Sequence, residues 1–349
     1  MNKVRIADKL VGNGEPCFIV AEAGVNHNGE IRLAKKLIDA AKSAGADAIK
    51  FQAFKTERLV TLTAAKAPYQ KERTGKGPQY DMLKKLELSL DDLEVLSKYA
   101  KKKGIILFFT PYDEGNVDLL DKMGVPAFKI ASCDITNLPL LEHIAKKKRP
   151  ILLSTGMSTM GEIGEALRTI YKTGNKNVVL LQCTSDYPPK IEDANLRVIQ
   201  TLKKVFKVQV GYSDHTIGIY SPIAAVALGA SIIEKHFTLD KNLPGPDHKM
   251  SLEPAELKEM IKAIRQVEKA LGGLEKKPTE SEEKMKKVMR KSVVAKVDIT
   301  KGTTILKDML TVKRPGIGVE PKYFTKIIGH KAKKDIKKDE VITWDKVIV

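Results

Sequence analysis

Only three cysteines, Cys17, Cys133 and Cys183, occur among 349 residues. Their number is odd, none stands at C-x-x-C spacing, and each lies in or beside an apolar run. A disulfide framework is therefore excluded, and reduced core thiols are expected. Aromatic residues make up 5% of the chain, with Trp344 the one tryptophan, expected in a core. Neither an aromatic-interleaved basic block nor an Arg-rich arm is present, which removes the usual footprint of a nucleic-acid binder. No uninterrupted apolar run approaches the ~18 residues of a membrane span. The opening MNKVRIADKL has no apolar signal core. These absences predict a cytoplasmic protein with neither membrane nor nucleic-acid partners.

Positive charge is in excess: 61 Lys and Arg against 43 Asp and Glu give a net +18. Bases and acids share helix faces, as in KKLELSLDDLEVLSKYAKKKG. That mixture describes a solvated Lys/Glu surface of thermophilic type rather than a polyanion-binding patch.

Along the chain a short apolar run is followed repeatedly by an amphipathic helix. The runs are Phe18–Ala21, Ala48–Phe51, Ile105–Phe109, Ala127–Ile130, Ile151–Leu153, Val178–Leu181, Val208–Val210 and Ser231–Glu234. Helical patterns between or after them include IRLAKKLIDAAKSAG, GEIGEALRTIYKTG and AELKEMIKAIRQVEKALG, each closed by glycine. Strict alternation means parallel strands with right-handed crossovers, and eight units in roughly 250 residues match a (β/α)8 TIM barrel. The barrel is predicted over residues 1–273. The charged stretch 274–289 reads as a linker, and short β-type runs over 290–349 predict a small, mainly β domain with a modest core.

Chemistry in such a barrel gathers at the C-terminal ends of the strands. Those positions hold Glu22, Lys50, Gln52, Thr110, Lys129, Ser132, Ser154, Ser185, Tyr187, Ser213, His215, His236 and Asp247. Lysines inside strands are costly in an apolar barrel unless they meet an anion. Lys50 and Lys129, with the hydroxyls of Ser132, Ser154 and Ser213, therefore suggest a phosphate, although any one serine alone would be a turn or cap residue. His215 and His236 leave the same sheet edge after consecutive strands. Two neutral imidazoles there would hold a divalent metal with open positions. The alternative has Asp214-His215 capping the next helix and His236 hydrogen-bonded at a strand end.

The motifs GVNHNG, KFQ, FFTPYDE, FKIAS, STGMS, CTSDYPP, GYSDHT and EKHFTLDKNLPGPDH come in this order and precede RKSVVAKVDITKGTTILKDMLTVKRPGIGVEPKY. Together they resemble the sialic acid synthase family over Phe18 to Val349, with a C-terminal antifreeze-like (SAF) domain. Members of that family condense phosphoenolpyruvate with N-acetylmannosamine or a related sugar. The resemblance implies the following roles. His215 and His236 are metal ligands, for Mn²⁺ first and Mg²⁺ or Co²⁺ otherwise. Lys50, Thr110, Lys129, Ser132, Ser154 and Ser213 hold phosphoenolpyruvate. Glu22 acts on the water or the transferring proton, and Asp247 joins the catalytic set. Gln52, Asp134, Ser185, Tyr187 and Asp247 face the sugar. Arg314 reaches the site from the exchanged C-terminal domain of a homodimer partner.

Asp134 and Ser185 depart from the Glu and Asn that many sialic acid synthases carry, which shortens both contacts. N-acetylneuraminate synthase is the expected activity. A legionaminate-type synthase using 2,4-diacetamido-6-deoxymannose comes second, and another phosphoenolpyruvate-dependent sugar-acid synthase, such as the 3-deoxy-octulosonate 8-phosphate type, comes third. A nucleic-acid or ice-binding role for the tail would leave the strand-end Lys, Ser and His set unexplained.

Overall fold

The computed structural model describes residues 1–348. Eight parallel strands close into a barrel: β1 Phe18–Gly24, β2 Ala48–Ala53, β3 Ile106–Pro111, β4 Phe128–Ile130, β5 Ile151–Ser154, β6 Val178–Cys183, β7 Gln209–Asp214 and β8 Ile232–His236. Closure comes from β8 pairing β1, in register from Ile232↔Phe18 to His236↔Glu22. Each apolar run read from the sequence is one of these strands. Parallel strands covered on both faces lose the polar half of the alternation and stand out as continuous apolar runs.

The helices between strands follow local signals. Ser89 and Asp92 form a capping box at the start of helix Leu90–Lys103, and Gly104 ends it at φ 68° in the left-handed region. Helix Pro254–Leu271 takes up the pattern AELKEMIKAIRQVEKALG, and an apolar helix over Tyr220–Ala227 joins β7 to β8. Outward-facing strand residues such as Ile49, Phe51, Phe109 and Val210 meet helix residues including Leu37, Leu141, Ile170 and Leu257.

Inward-facing residues form two layers. The lower is apolar: Phe18, Val20, Ala48, Phe108, Ala127, Leu152, Val179, Leu181 and Ile232. It is plugged from below by Val4, Ile6 and Val11 of an antiparallel hairpin formed by Val4–Ile6 and Lys9–Val11. Two residues further along the same strands, the interior turns polar. Gly211 marks where the wall is tightest, since a Cβ there would lie 2.6 Å from the Ile232 carbonyl oxygen and 2.7 Å from Leu181 Cδ2.

A second compact unit begins at Gly273. Its core gathers Val293, Ala295, Ile299, Ile305, Leu310, Ile327 and Ile342 around the antiparallel pair Ser292–Ala295 and Leu310–Lys313. Within the charged stretch read as a linker, Glu280–Met289 is a helix that buries none of its residues. It rests on local devices, namely the Thr279–Glu282 capping box and the Glu280–Lys284 ion pair. Two expectations are corrected. Trp344 is 43% exposed rather than core, because aliphatic residues fill this small interior and the indole lies edge-on to Tyr323 at 5.7 Å. Cys133 is an exposed thiol, unlike buried Cys17 and Cys183, because it sits in the turn Ser132–Asp134 that follows β4. Among the described residues no helix is long and apolar enough to cross a membrane.

Candidate active site

Strand register assembles the upper layer. His236 lies level with Glu22, Glu22 with Lys50, and Ser213 with both Cys183 and Glu234. The result is an inner cavity of about 60 Å³ lined by Glu22, Lys50, Gln52, Thr110, Lys129, Ser132, Ser154, Ser213, His215, Glu234 and His236 among others. An outer cleft of about 700 Å³ shares Gln52, Ser132, Tyr187 and His236 with it and adds Asp134, Ser185 and Asp247. Every candidate of the barrel thus lines one of the two spaces. Arg314 belongs to the second unit, where its Nε donates to the Met289 carbonyl at 3.1 Å.

Both barrel lysines are charge-balanced. Lys50 Nζ lies 2.8 Å from Glu22 Oε2 and donates to Thr110 Oγ1 at 2.7 Å. Lys129 Nζ lies 3.4 Å from Glu234 Oε1, which also accepts from Ser213 Oγ at 2.9 Å. The two carboxylates diverge. Burial pushes Glu22 up to about 7 despite Lys50, with Glu234 adding to the rise. Burial also acts on Glu234, but Lys129, Lys50 and the Ser213 hydroxyl outweigh it and hold that carboxyl below its ordinary value. One acid is therefore poised to exchange a proton near neutrality while its neighbour stays ionised, the usual division of labour between paired carboxylates.

The imidazoles of His215 and His236 lie 5.2 Å apart, centroid to centroid. His215 Nδ1 is 2.9 Å from the Thr184 carbonyl, so it carries the hydrogen and leaves Nε2 as a lone pair. His236 Nδ1 is buried without a partner, and burial, His215 and the nearby lysines hold that ring well below the ordinary histidine range, neutral and ready to coordinate. Behind the pair, facing away from the cavity, Lys235 and Asp214 form a fully buried ion pair at 2.6 Å. Asp214 also accepts from Tyr212 Oη at 2.9 Å and Thr216 N at 2.8 Å, and Lys235 donates to the Thr216 carbonyl. That network fixes the turn carrying His215 against the strand end carrying His236. Among the described residues no group of three or more His, Cys, Asp or Glu is arranged to hold a metal. The two imidazoles nonetheless fit a divalent ion that keeps open positions for oxygen ligands.

In the outer cleft Tyr187 stacks on His215 at 4.2 Å and Tyr69 on Tyr187 at 5.0 Å. Burial raises Asp247 to about 6, opposed by His215, Arg73 and Lys50. Its carbonyl accepts from Ser251 Oγ at 2.7 Å, and Asn26 Nδ2 donates to that hydroxyl at 2.9 Å. His248 joins Thr238 Oγ1 at 2.7 Å to Asn28 Oδ1 at 3.1 Å, tying the loop after β8 to the loop after β1. Several buried atoms around the cavities, Ser154 Oγ, Ser185 Oγ and Glu234 Oε2, have no protein partner. Orphaned polar atoms of this kind mark places where a ligand completes the hydrogen bonding.

The NeuB family matches residues 37–276, and the SAF domain matches residues 290–348. The chain belongs to the NeuB family. It is 51% identical to the N,N'-diacetyllegionaminic acid synthase of Campylobacter jejuni, over 93% of this chain and 98% of that protein. It is 42% identical to the N-acetylneuraminate-9-phosphate synthase of Mus musculus, over 97% and 95%. The solved N-acetylneuraminic acid (sialic acid) synthetase of Leptospira borgpetersenii superposes with a TM-score of 0.73 at 38% identity, covering 81% of this chain and 95% of that one.

Sequence reading missed four parts of this NeuB-family site: Glu234, the Asp214–Lys235 pair, Tyr69 and Arg73. Glu234 was legible in principle, since it precedes His236 by two residues and must share its inward face. Asp214 and Lys235 show their purpose only once the register Lys235↔Asp214 is known. Tyr69 and Arg73 sit on helix Pro68–Thr74 of the long β2 loop, where no periodicity points toward the cleft.

Proposed function

We propose that this enzyme condenses phosphoenolpyruvate with the aldehyde of an open-chain 2-acetamido mannose-type sugar and water, giving a nine-carbon 2-keto sugar acid and phosphate. The observation that carries this reading is the inner cavity. It sets Lys50, Lys129 and three serine hydroxyls beside two ligand-ready imidazoles, below a cleft of sugar size.

Each lysine exchanges part of its contact with a carboxylate for the substrate's anionic oxygens, assisted by Thr110, Ser132, Ser154 and Ser213. A divalent ion held by His215 and His236, Mn²⁺ first, would polarise the aldehyde oxygen as a Lewis acid. The terminal enol carbon then bonds to the aldehyde carbon, whose oxygen takes the carbonyl electron pair and a proton from the Glu22 carboxyl, leaving positive charge at the phosphate-bearing carbon. Water adds there while Glu22 takes its proton, a role suited to a carboxyl raised to about 7. The tetrahedral adduct loses phosphate by C–O cleavage, and the lysines stabilise the departing dianion.

The lining of the cleft supports one kind of sugar over another. Its lining includes Val25, Leu59, Val60, Met82 and Leu83, carries Asp134, Asp186 and Asp247, and contains no Lys or Arg. An apolar wall suits a deoxy methyl and a second acetamido group, whereas a sugar phosphate would meet three carboxylates and no cation from the barrel itself. Together with the 51% identity to a legionaminic acid synthase, this supports 2,4-diacetamido-6-deoxymannose as the first sugar to try and N-acetylmannosamine as the second. The test is phosphate release from phosphoenolpyruvate with Mn²⁺ and either of these sugars or N-acetylmannosamine 6-phosphate. The expected order is the diacetamido sugar, then N-acetylmannosamine, with the 6-phosphate poorest. Release with none of them would overturn the proposal.

The working unit in this reading is a homodimer in which the partner's C-terminal domain brings Arg314 over the cleft. Its support is the exposure of Leu62, Met157, Ile191, Ile217 and Tyr220 in the segments that follow the strand ends, an apolar rim that a covering domain would bury.

A further inference from the structure

Three loops at the mouth of the barrel are joined by one side chain that no chemical step employs. Arg73, on helix Pro68–Thr74 after β2, donates from Nη1 to the Pro246 carbonyl at 2.8 Å and from Nη2 to the Tyr187 carbonyl at 3.4 Å. The first carbonyl belongs to the loop after β8 and directly precedes Asp247. The second belongs to the loop after β6 and to the ring that stacks on His215. A planar guanidinium presents its donors in a rigid fork, which suits holding two carbonyls from different loops in one geometry.

The other hydrogen bonds of the helix that carries Arg73 stay within its own loop, from Gln79 Nε2 to Gln70 Oε1 and from Lys66 Nζ to the Thr74 and Gly75 carbonyls. The helix is seven residues long, and it ends in Gly75-Lys76-Gly77, whose glycines adopt φ 73° and 113° with open space around them. Across the cleft, Tyr69 of the same helix stacks on Tyr187 at 5.0 Å. Arg73 lines neither cavity itself, whereas Tyr69, Tyr187, Pro246 and Asp247 all line the outer one.

We infer that Arg73 is a positioning residue for the sugar subsite, locking the helix after β2 onto the loops after β6 and β8 so that Tyr187 and Asp247 meet the sugar in fixed geometry. The inference rests on the proposed condensation for the identity of the substrate, but the mechanical linkage does not depend on it. Because Arg73 holds the loops of the outer cleft and makes no hydrogen bond to Lys50, Lys129 or the serines of the inner cavity, its loss should separate the two substrates.

The experiment compares wild type, Arg73→Ala and Arg73→Lys as full-length protein, by steady-state kinetics and by amide hydrogen exchange without substrates. In Arg73→Ala the apparent KM for the sugar should rise at least tenfold while that for phosphoenolpyruvate stays within twofold. Exchange should quicken in residues 66–79 and 244–248 and remain unchanged in β1–β8. Arg73→Lys, which keeps the charge but satisfies one carbonyl at a time, should fall between the two in both measurements, and it serves alone if the alanine variant does not fold. Equal changes in both KM values, or unaltered exchange in the two loops, would overturn the inference. If wild type turns over no sugar, the proposed reaction fails, and the exchange data still decide whether Arg73 joins the loops.

Discussion

The lower and upper layers of the barrel interior are built by the same strands two residues apart, yet they obey opposite rules. Val20, Ala48, Phe108, Leu152 and Ile232 fill the lower layer with nothing left to satisfy. Glu22, Lys50, Thr110, Ser154 and Glu234 follow them along the chain and enclose a cavity with carboxylates, ammonium groups and orphaned hydroxyls. Burying such groups costs stability unless they are paired, and here the pairing is incomplete on the side that faces substrate. The lower layer therefore stabilises the fold, and the upper layer gives up part of that stability for chemistry.

The sharpest way to break this division is at the histidines. His215→Ala or His236→Ala should lower kcat by a thousandfold or more and abolish Mn²⁺ binding by calorimetry, while the thermal midpoint stays close to wild type. Full activity in excess chelator would remove the metal from the proposal. The proposed homodimer offers a second way to break the division. Mixing Glu22→Ala with Arg314→Ala protomers should restore activity well above either parent, because one site of each heterodimer then carries neither defect. Verified heterodimers as inactive as both parents would rule out the shared site.

A matched pair one layer apart tests the same contrast at smaller amplitude. Leu181→Ala, in the lower layer, should cost about 2–5 kcal/mol of unfolding free energy with both KM values nearly unchanged. Lys129→Ala, in the upper layer, should lower kcat/KM for phosphoenolpyruvate by roughly a hundredfold, since it removes a charge-assisted contact to an anion. It should leave the sugar's apparent KM much less altered. Denaturant midpoints and two-substrate kinetics on both variants would show whether stability and catalysis separate as the layers do.

The contrast also explains what could be read before the structure. The barrel was legible because its strands, covered on both faces, are apolar runs, and its helices carry their own caps. The lysines, serines and histidines stood out because polar residues at the ends of apolar runs need a reason. What stayed hidden depends on register or on contacts distant in sequence. The match of Lys235 to Asp214 requires the alignment of β8 with β7, and the reach of Arg73 to Pro246 spans 173 residues. The exposed Trp344 was misread because rarity and size suggest a core residue, whereas aliphatic side chains already fill that small interior.

The smallest effect expected from the comparison is a pH dependence, which the lower layer, having no titratable group, cannot supply. His248 and His27 lie in the loops after β8 and β1, and burial lowers both to about 4, against the opposing charges of Asp240 and Asp92 respectively. Unfolded, each ring binds its proton near the ordinary value of about 6.5. Between pH 6.5 and 4 the unfolded chain therefore holds more protons than the folded one, so this contribution to stability is complete above pH 6.5 and is lost as pH falls toward 4. Glu22 and Asp247, raised to about 7 and about 6, act with the opposite sign in part of the same window. The wild-type curve alone is therefore ambiguous, and the difference from a variant isolates the histidine. His248→Gln keeps an amide able to meet Thr238 and Asn28 but does not titrate. Unfolding free energies from urea titrations at pH 4.5, 5.5, 6.5 and 7.5 should fall less steeply with acid in the variant, by about 1–2 kcal/mol across the range. Parallel curves would mean that the latch between the two loops bears no protonation cost.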